Sequence, residues 1–163
     1  MTIIARCKSI VGEPAPAGAP GAIAYEDDFY GWATQQAGFL ASGEIDELDL
    51  ANLAEELAEL ARGEFRNLVQ TYRALLLNVL KWDCQPEKRT RTCWAAIETQ
   101  RGRVKDLLVD NPSLTLRLDE AGARGYREAR LRMARETMLS LDAMPETCPY
   151  NARTILSRPF DLG

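Results

Sequence analysis

Two stretches of this 163-residue chain repeat chemistry-bearing side chains at helical spacing, and neither contains a histidine, because the chain has none. Within LDLANLAEELAEL, Asp49, Asn52, Glu56 and Glu59 follow one another at intervals of three and four, so their oxygens line one stripe of a helix, with Glu55 on a different side. Carboxylates projecting into a helical bundle can hold metal ions. Without imidazole, the set Asp49, Glu55, Glu56 and Glu59 would offer oxygen ligands only, which suits Mg, Mn or Ca better than iron or zinc. A solvated acidic face, or an ion pair with an arginine such as Arg101, is the simpler expectation. The missing histidine also excludes a Ser-His-Asp triad and a histidine proton shuttle.

The second stretch is basic and aromatic. Between Lys81 and Lys105, seven cations face Asp83, Glu87 and Glu98, a balance of 7 - 3 = +4, while Glu26 to Arg66 holds eleven carboxylates against two arginines, 2 - 11 = -9. Pairing between acidic and basic helices accounts for such a division. If Arg89 and Arg101 serve structure, Glu55 or Glu56 are their expected partners. Trp82 and Trp94 interleave with the cations as stacking platforms for nucleic acid would, yet a pI near 5.0 argues against a dominant phosphate-binding face, so nucleic acid is not the expected partner. Lys81 beside Trp82, Arg89 ahead of Trp94, and Arg101 also set cations against large rings, an arrangement that builds anion or carboxylate pockets.

The elements that must position these groups are helices. Leucine and alanine number 21 and 22 against 5 valines and 7 isoleucines, so the apolar content comes from helix formers rather than β-branched residues. A first helix should open at Asp27 or Asp28 and stop at Gly43. A second, from Asp46 to about Trp82, would span roughly 55 Å at 1.5 Å per residue, so a kink or short break is expected at Gly63. Thr90 or Thr92 should cap a third, ended by Asn111-Pro112, and a fourth should run from Ser113 to about Leu141 with a small inner face at Ala121, Gly122, Gly125 and Ala129. One short turn is expected near Ala152 to Leu156. The fold class is therefore all-α, a compact bundle of four to five long helices with a short C-terminal helical tail.

Residues 1–24 carry three of the eight prolines and three of the eleven glycines and are expected to form a flexible leader, leaving 25–163 as a single helical-bundle domain. Arg6 and Lys8 interrupt the only apolar run there, so no secretory signal is expected and the cytoplasm is the expected compartment. No membrane span is expected. Cys7, Cys84, Cys93 and Cys148 form no CxxC pair and are expected as buried free thiols.

The segments DDFYGWATQQAGFL, LDLANLAEELAELARGE, LLLNVLKWDCQP, RTRTCWAAIETQR, NPSL and MPETCPYNARTIL occur in that order. Together they resemble a bacterial family known only as domain of unknown function number twenty-nine, over about residues 25 to 160. The resemblance implies an all-helical domain without an assigned activity. It points to Tyr30 and Trp32, Glu55 and Glu56, Lys81 and Trp82, Arg89 and Trp94, and Arg101 as binding positions. It also points to Asn78, which stands in LLLNVLKW where the family pattern commonly has histidine, a departure that weakens histidine-based catalysis or ligation here. The expected function is a cytoplasmic helical binding or protein-interaction module with no catalytic activity and no cofactor, its partner an unidentified protein or a second copy. The alternative is an oxygen-ligated divalent-metal bundle, for example a hydrolase of phosphate esters.

Overall fold

A computed structural model of the chain describes residues 21–161, so most of the expected leader lies outside the described residues. Among the described residues there are four α-helices and no strand: α1 (Phe29–Ser42), α2 (Leu50–Cys84), α3 (Arg91–Asp110) and α4 (Leu118–Thr137). The fold is all-α. Its contacts divide the chain into two units, Met1–Ala61 and Arg62–Gly163.

The first unit holds α1 and the opening turns of α2. Asp28 caps α1 by accepting the Gly31 amide at 2.9 Å, and Gly43 ends it at φ 80°, a left-handed turn that glycine adopts without Cβ crowding. Residues 21–24 are tied to α1: Gln35 accepts the Ile23 amide and donates to the Gly21 carbonyl, both at 3.0 Å. Asp49 caps α2 through the Asn52 amide at 3.2 Å.

No break occurs at Gly63, where one was expected: α2 runs 35 residues without interruption. A single glycine costs a helix only about 1 kcal/mol, and the flanking Leu60, Ala61, Glu64 and Arg66 are helix formers. The second unit contains the rest of α2, with α3, α4 and the tail. Leu68, Tyr72, Leu75, Val79 and Leu80 of α2, Ile97 and Val104 of α3, and Ala121, Tyr126, Ala129 and Met133 of α4 share one core. The small face of α4 explains the close approach. A Cβ on Gly125 would meet the Arg73 amide nitrogen at 2.8 Å and the Val69 carbonyl oxygen at 3.1 Å, and one on Gly122 would meet the Ala152 Cβ at 3.1 Å. Helix α4 is shorter than its sequence pattern, because Pro112–Arg117 winds as a 3-10 turn and Met138 enters the left-handed region at φ 60°.

The tail is held by side chains that reach its backbone. Tyr72 donates to the Ala152 carbonyl at 2.6 Å and Tyr126 to that of Pro145 at 2.7 Å. Arg158 grips both oxygens of Asp83 at 2.8 and 2.7 Å, and Tyr150 donates to the same carboxylate at 2.9 Å. Burial, then the Asp83 charge, pushes the Tyr150 hydroxyl well above its ordinary range. The expected short turn is present at Thr154–Leu156. Among the described residues, no helix is long and apolar enough to cross a membrane.

Candidate functional site

Within the second unit, the last turn of α2, the loop after it, the first turn of α3 and the last turn of α4 enclose a cleft of about 260 Å³. Lys81, Trp82, Gln85, Lys88, Arg89, Cys93, Glu136 and Thr137 line it. Three of the residues picked out from the sequence, Lys81, Trp82 and Arg89, therefore come together. Trp82 is 4% exposed, with its ring edge-on to Phe160 at 5.6 Å. The Arg89 guanidinium lies over the Trp82 ring, 5.4 Å from its centroid, and its Nε donates to the Trp82 carbonyl at 2.9 Å. This fixes the plane of the arginine, and Pro86–Lys88, wound as a 3-10 turn, sets the reach of the loop.

Lys81 pairs with Glu136 across the cleft at 2.5 Å, and Arg132 grips the same carboxylate at 2.6 Å. The Lys81 hydrogen bond, then that of Arg132, holds the Glu136 carboxyl below its ordinary range. Thr90 caps α3, its Oγ1 accepting the Cys93 amide at 3.2 Å. The cleft is thus lined by three cations and one carboxylate, at the positive end of a 20-residue helix.

The other sequence candidates lie elsewhere. Trp94 is exposed on α3 and does not line the cleft. Asn78 is half-buried in α2. Arg101 is 5% exposed and structural: Nε and Nη2 donate to the Ile155 carbonyl at 2.9 and 2.7 Å, Nη2 also reaches the Arg158 carbonyl, and Nη1 meets Glu98 at 2.6 Å. The pairing of Arg89 and Arg101 with Glu55 or Glu56 is not what these arginines make. Their donors go to backbone carbonyls of α2 and the tail, and to Glu98.

In the first unit, Trp32 is buried. Its indole nitrogen donates to Asp49 at 3.3 Å, and Tyr25 packs edge-on to it at 4.9 Å. Glu56 accepts the Tyr25 hydroxyl at 2.5 Å, a bond that raises the Tyr25 pKa. Tyr30 is 81% exposed, and Glu55 is exposed. The acidic stripe therefore faces the aromatic residues of its own unit, with Asp49 engaged by Trp32 and Asn52. Among the described residues, no group of three or more Cys, Asp or Glu side chains is placed to hold a metal ion.

The thiols differ from expectation. Cys84 is exposed, and Cys93 and Cys148 are half-buried, because Cys84 ends α2 and Cys93 sits at the cleft mouth; all three are free, and Cys7 lies outside the described residues. Sequence reading missed Gln85, Lys88, Cys93, Glu136 and Thr137 as cleft residues. For Lys88 the signal existed in KWDCQPEKR; for Glu136, fifty-five residues beyond Lys81, there was none.

A family model described as "Domain of unknown function DUF29" matches residues 24–161. No curated protein and no solved structure matches the chain.

Proposed function

The chain belongs to the DUF29 family, whose description assigns no activity, and from that premise we propose that it is a helical protein-interaction module acting in the cytoplasm, with the outer face of the first turns of α2 as its docking surface. One observation carries this reading: the amphipathic helix is turned inside out. The polar stripe with Asp49 and Glu56 faces the aromatic residues of its own unit, while Leu50, Leu57 and Leu60 are 59%, 65% and 67% exposed. Ala51, Ala54, Ala58 and Ala61 are exposed beside them. A helix that served only its own unit would bury the leucines. A contiguous apolar patch of this kind marks an interaction site.

Leu50, Leu57 and Leu60, with the half-buried Leu53 between them, follow the alternating three-four spacing that a partner helix reads, and the exposed alanines beside them allow close approach. Charge selects the occupant. The surrounding segment carries nine excess carboxylates from Glu26 to Arg66, so a second copy would bring the same charge to the contact. A basic amphipathic helix complements it. The metal-bundle alternative is less well supported, since Asp49 and Glu56 already accept from Trp32, Asn52 and Tyr25.

The test is calorimetric titration with a synthetic helical peptide bearing leucine at the heptad core positions and lysine on the flanks. Leu57→Ser and Leu60→Ser are expected to weaken binding about tenfold each, as loss of a buried anchor does, and to leave the circular dichroism unchanged. Raised salt should weaken it further. Equal affinity of parent and variants, or a parent that light scattering shows to be a dimer split by Leu57→Ser, would overturn the reading.

A further inference from the structure

We propose that the cleft between Lys81, Lys88, Arg89 and Glu136 binds the phosphoryl group of a small phosphate monoester. This site is independent of the docking face, and its residues all belong to the second unit.

The charge balance comes first. Lys81, Lys88 and Arg89 face a single lining carboxylate, Glu136, an excess of 3 - 1 = 2 positive charges. A phosphate monoester carries between one and two negative charges near neutral pH, so it matches this excess where a monocarboxylate leaves part of it uncompensated. Lys81 and Glu136 neutralise one another at 2.5 Å, leaving Lys88 and Arg89 as the net positive pair.

Arg89 is prepared for such a guest. Its ring contact with Trp82 and the bond from Nε to the Trp82 carbonyl hold the guanidinium plane still, while no hydrogen-bond partner of Nη1 or Nη2 is found among the described residues. A fixed fork with two free donor nitrogens fits the paired oxygens of a phosphoryl group, and little side-chain entropy remains to be lost on binding. Lys88, exposed at the cleft, likewise has no side-chain partner among the described residues and adds a point charge. The positive end of α3, whose first-turn residue Cys93 lines the cleft, adds attraction of the same sign.

The dimensions suit a single head group rather than a polymer. The cleft is about 260 Å³, and the exposed Trp94, which a single-stranded nucleic acid would use as a second platform, is not part of it.

The experiment is calorimetric titration of the full chain at low salt with phenyl phosphate, with benzoate as the monoanionic control of similar shape. Phenyl phosphate should bind saturably at one site, and benzoate about tenfold more weakly or worse, as expected where a charge-assisted contact is lost. Lys88→Gln, which disturbs no side-chain contact, should weaken phenyl phosphate about tenfold, and Arg89→Lys should do the same because the fork is lost while the charge stays. Glu136→Gln should tighten it by freeing Lys81. Arg103→Gln, exposed on α3 ten residues or about 15 Å along the helix from the lining Cys93, should leave affinity within about twofold, since a unit charge that far off in water changes binding by less than a factor of about two. The proposal is overturned if phenyl phosphate fails to saturate by about 10 mM, well above ordinary ligand affinities. It is also overturned if Arg103→Gln weakens binding as much as Lys88→Gln, or if an oligonucleotide binds while phenyl phosphate does not.

Discussion

Replacing Arg101 by methionine separates a structural arginine from a binding one. The substitution keeps an unbranched stem out to the position of Nε and removes every donor. Two tail carbonyls then lose their partner: that of Ile155, which receives two bonds at 2.9 and 2.7 Å, and that of Arg158. Ile155 is buried, so water cannot readily replace the lost bonds, and an unsatisfied buried acceptor costs about 1 to 3 kcal/mol. The contact of the guanidinium with the Phe160 ring, 4.6 Å from its centroid, adds about 0.5 to 1 kcal/mol. The Glu98 pair adds little, because Glu98 is partly solvated. The expected loss is therefore about 3 kcal/mol, or about 6 to 12 °C in Tm for a chain of this size. Urea unfolding followed by circular dichroism measures it, with Glu98→Gln as a control expected to change stability by less than about 1 kcal/mol. Combining Arg101→Met with Glu56→Gln should give additive losses within about 0.5 kcal/mol, since Glu56 is engaged by Tyr25. An Arg101→Met variant as stable as the parent would refute the account of the tail as held by this side chain, and a large coupling to Glu56 would restore the pairing suggested by charge alone.

Two glycines of α2 and α4 should respond in opposite directions to alanine. Gly63→Ala, whose Cβ would meet nothing closer than Arg66 Nη2 at 3.8 Å, should gain about 0.5 to 1 kcal/mol, and Gly125→Ala should lose about 1 to 3 kcal/mol, both read from urea midpoints. Met138→Gly should raise Tm by a few degrees, because it relieves a left-handed backbone at φ 60° that costs about 1 to 2 kcal/mol for residues with a Cβ. Asp49→Ala should cost about 1 to 2 kcal/mol by uncapping α2, and fluorescence should report a loosened Trp32. Glu136 has a depressed carboxyl pKa in the folded chain, so its ionised form contributes stability above the unfolded value and that contribution is lost as pH falls through the folded one. Below about pH 4.5 the parent should therefore lose stability faster than Glu136→Gln, and parallel acid titration curves would count against the Lys81 pair.

Local rules made much of the chain legible. Asp28, Gly43, Thr90 and Asn111-Pro112 act within one turn of themselves, so the helix limits they impose could be read from neighbouring residues alone. The small face of α4 was visible as a spacing, and Lys81, Trp82 and Arg89 sit within nine residues, close enough for one turn and one loop to bring them into a single cleft. Periodicity also showed that the start of α2 has a leucine side and a carboxylate side. It could not say which side faces inward, because a helical repeat is blind to rotation about its own axis. Only the bonds from Trp32 and Tyr25 to Asp49 and Glu56 decided that the leucines point out. The partners of long side chains were equally hidden. Arg101 reaches carbonyls fifty-four and fifty-seven residues away, where charge counting had offered Glu55 or Glu56, and Lys81 reaches Glu136, for which local spacing offered no partner, because Coulomb attraction names a sign and not an address. Composition and local spacing determined the helices and the ends of α1 and α3; which faces meet, and so which polar groups are occupied by structure and which remain free to bind, was settled only when the core chose how the helices turn.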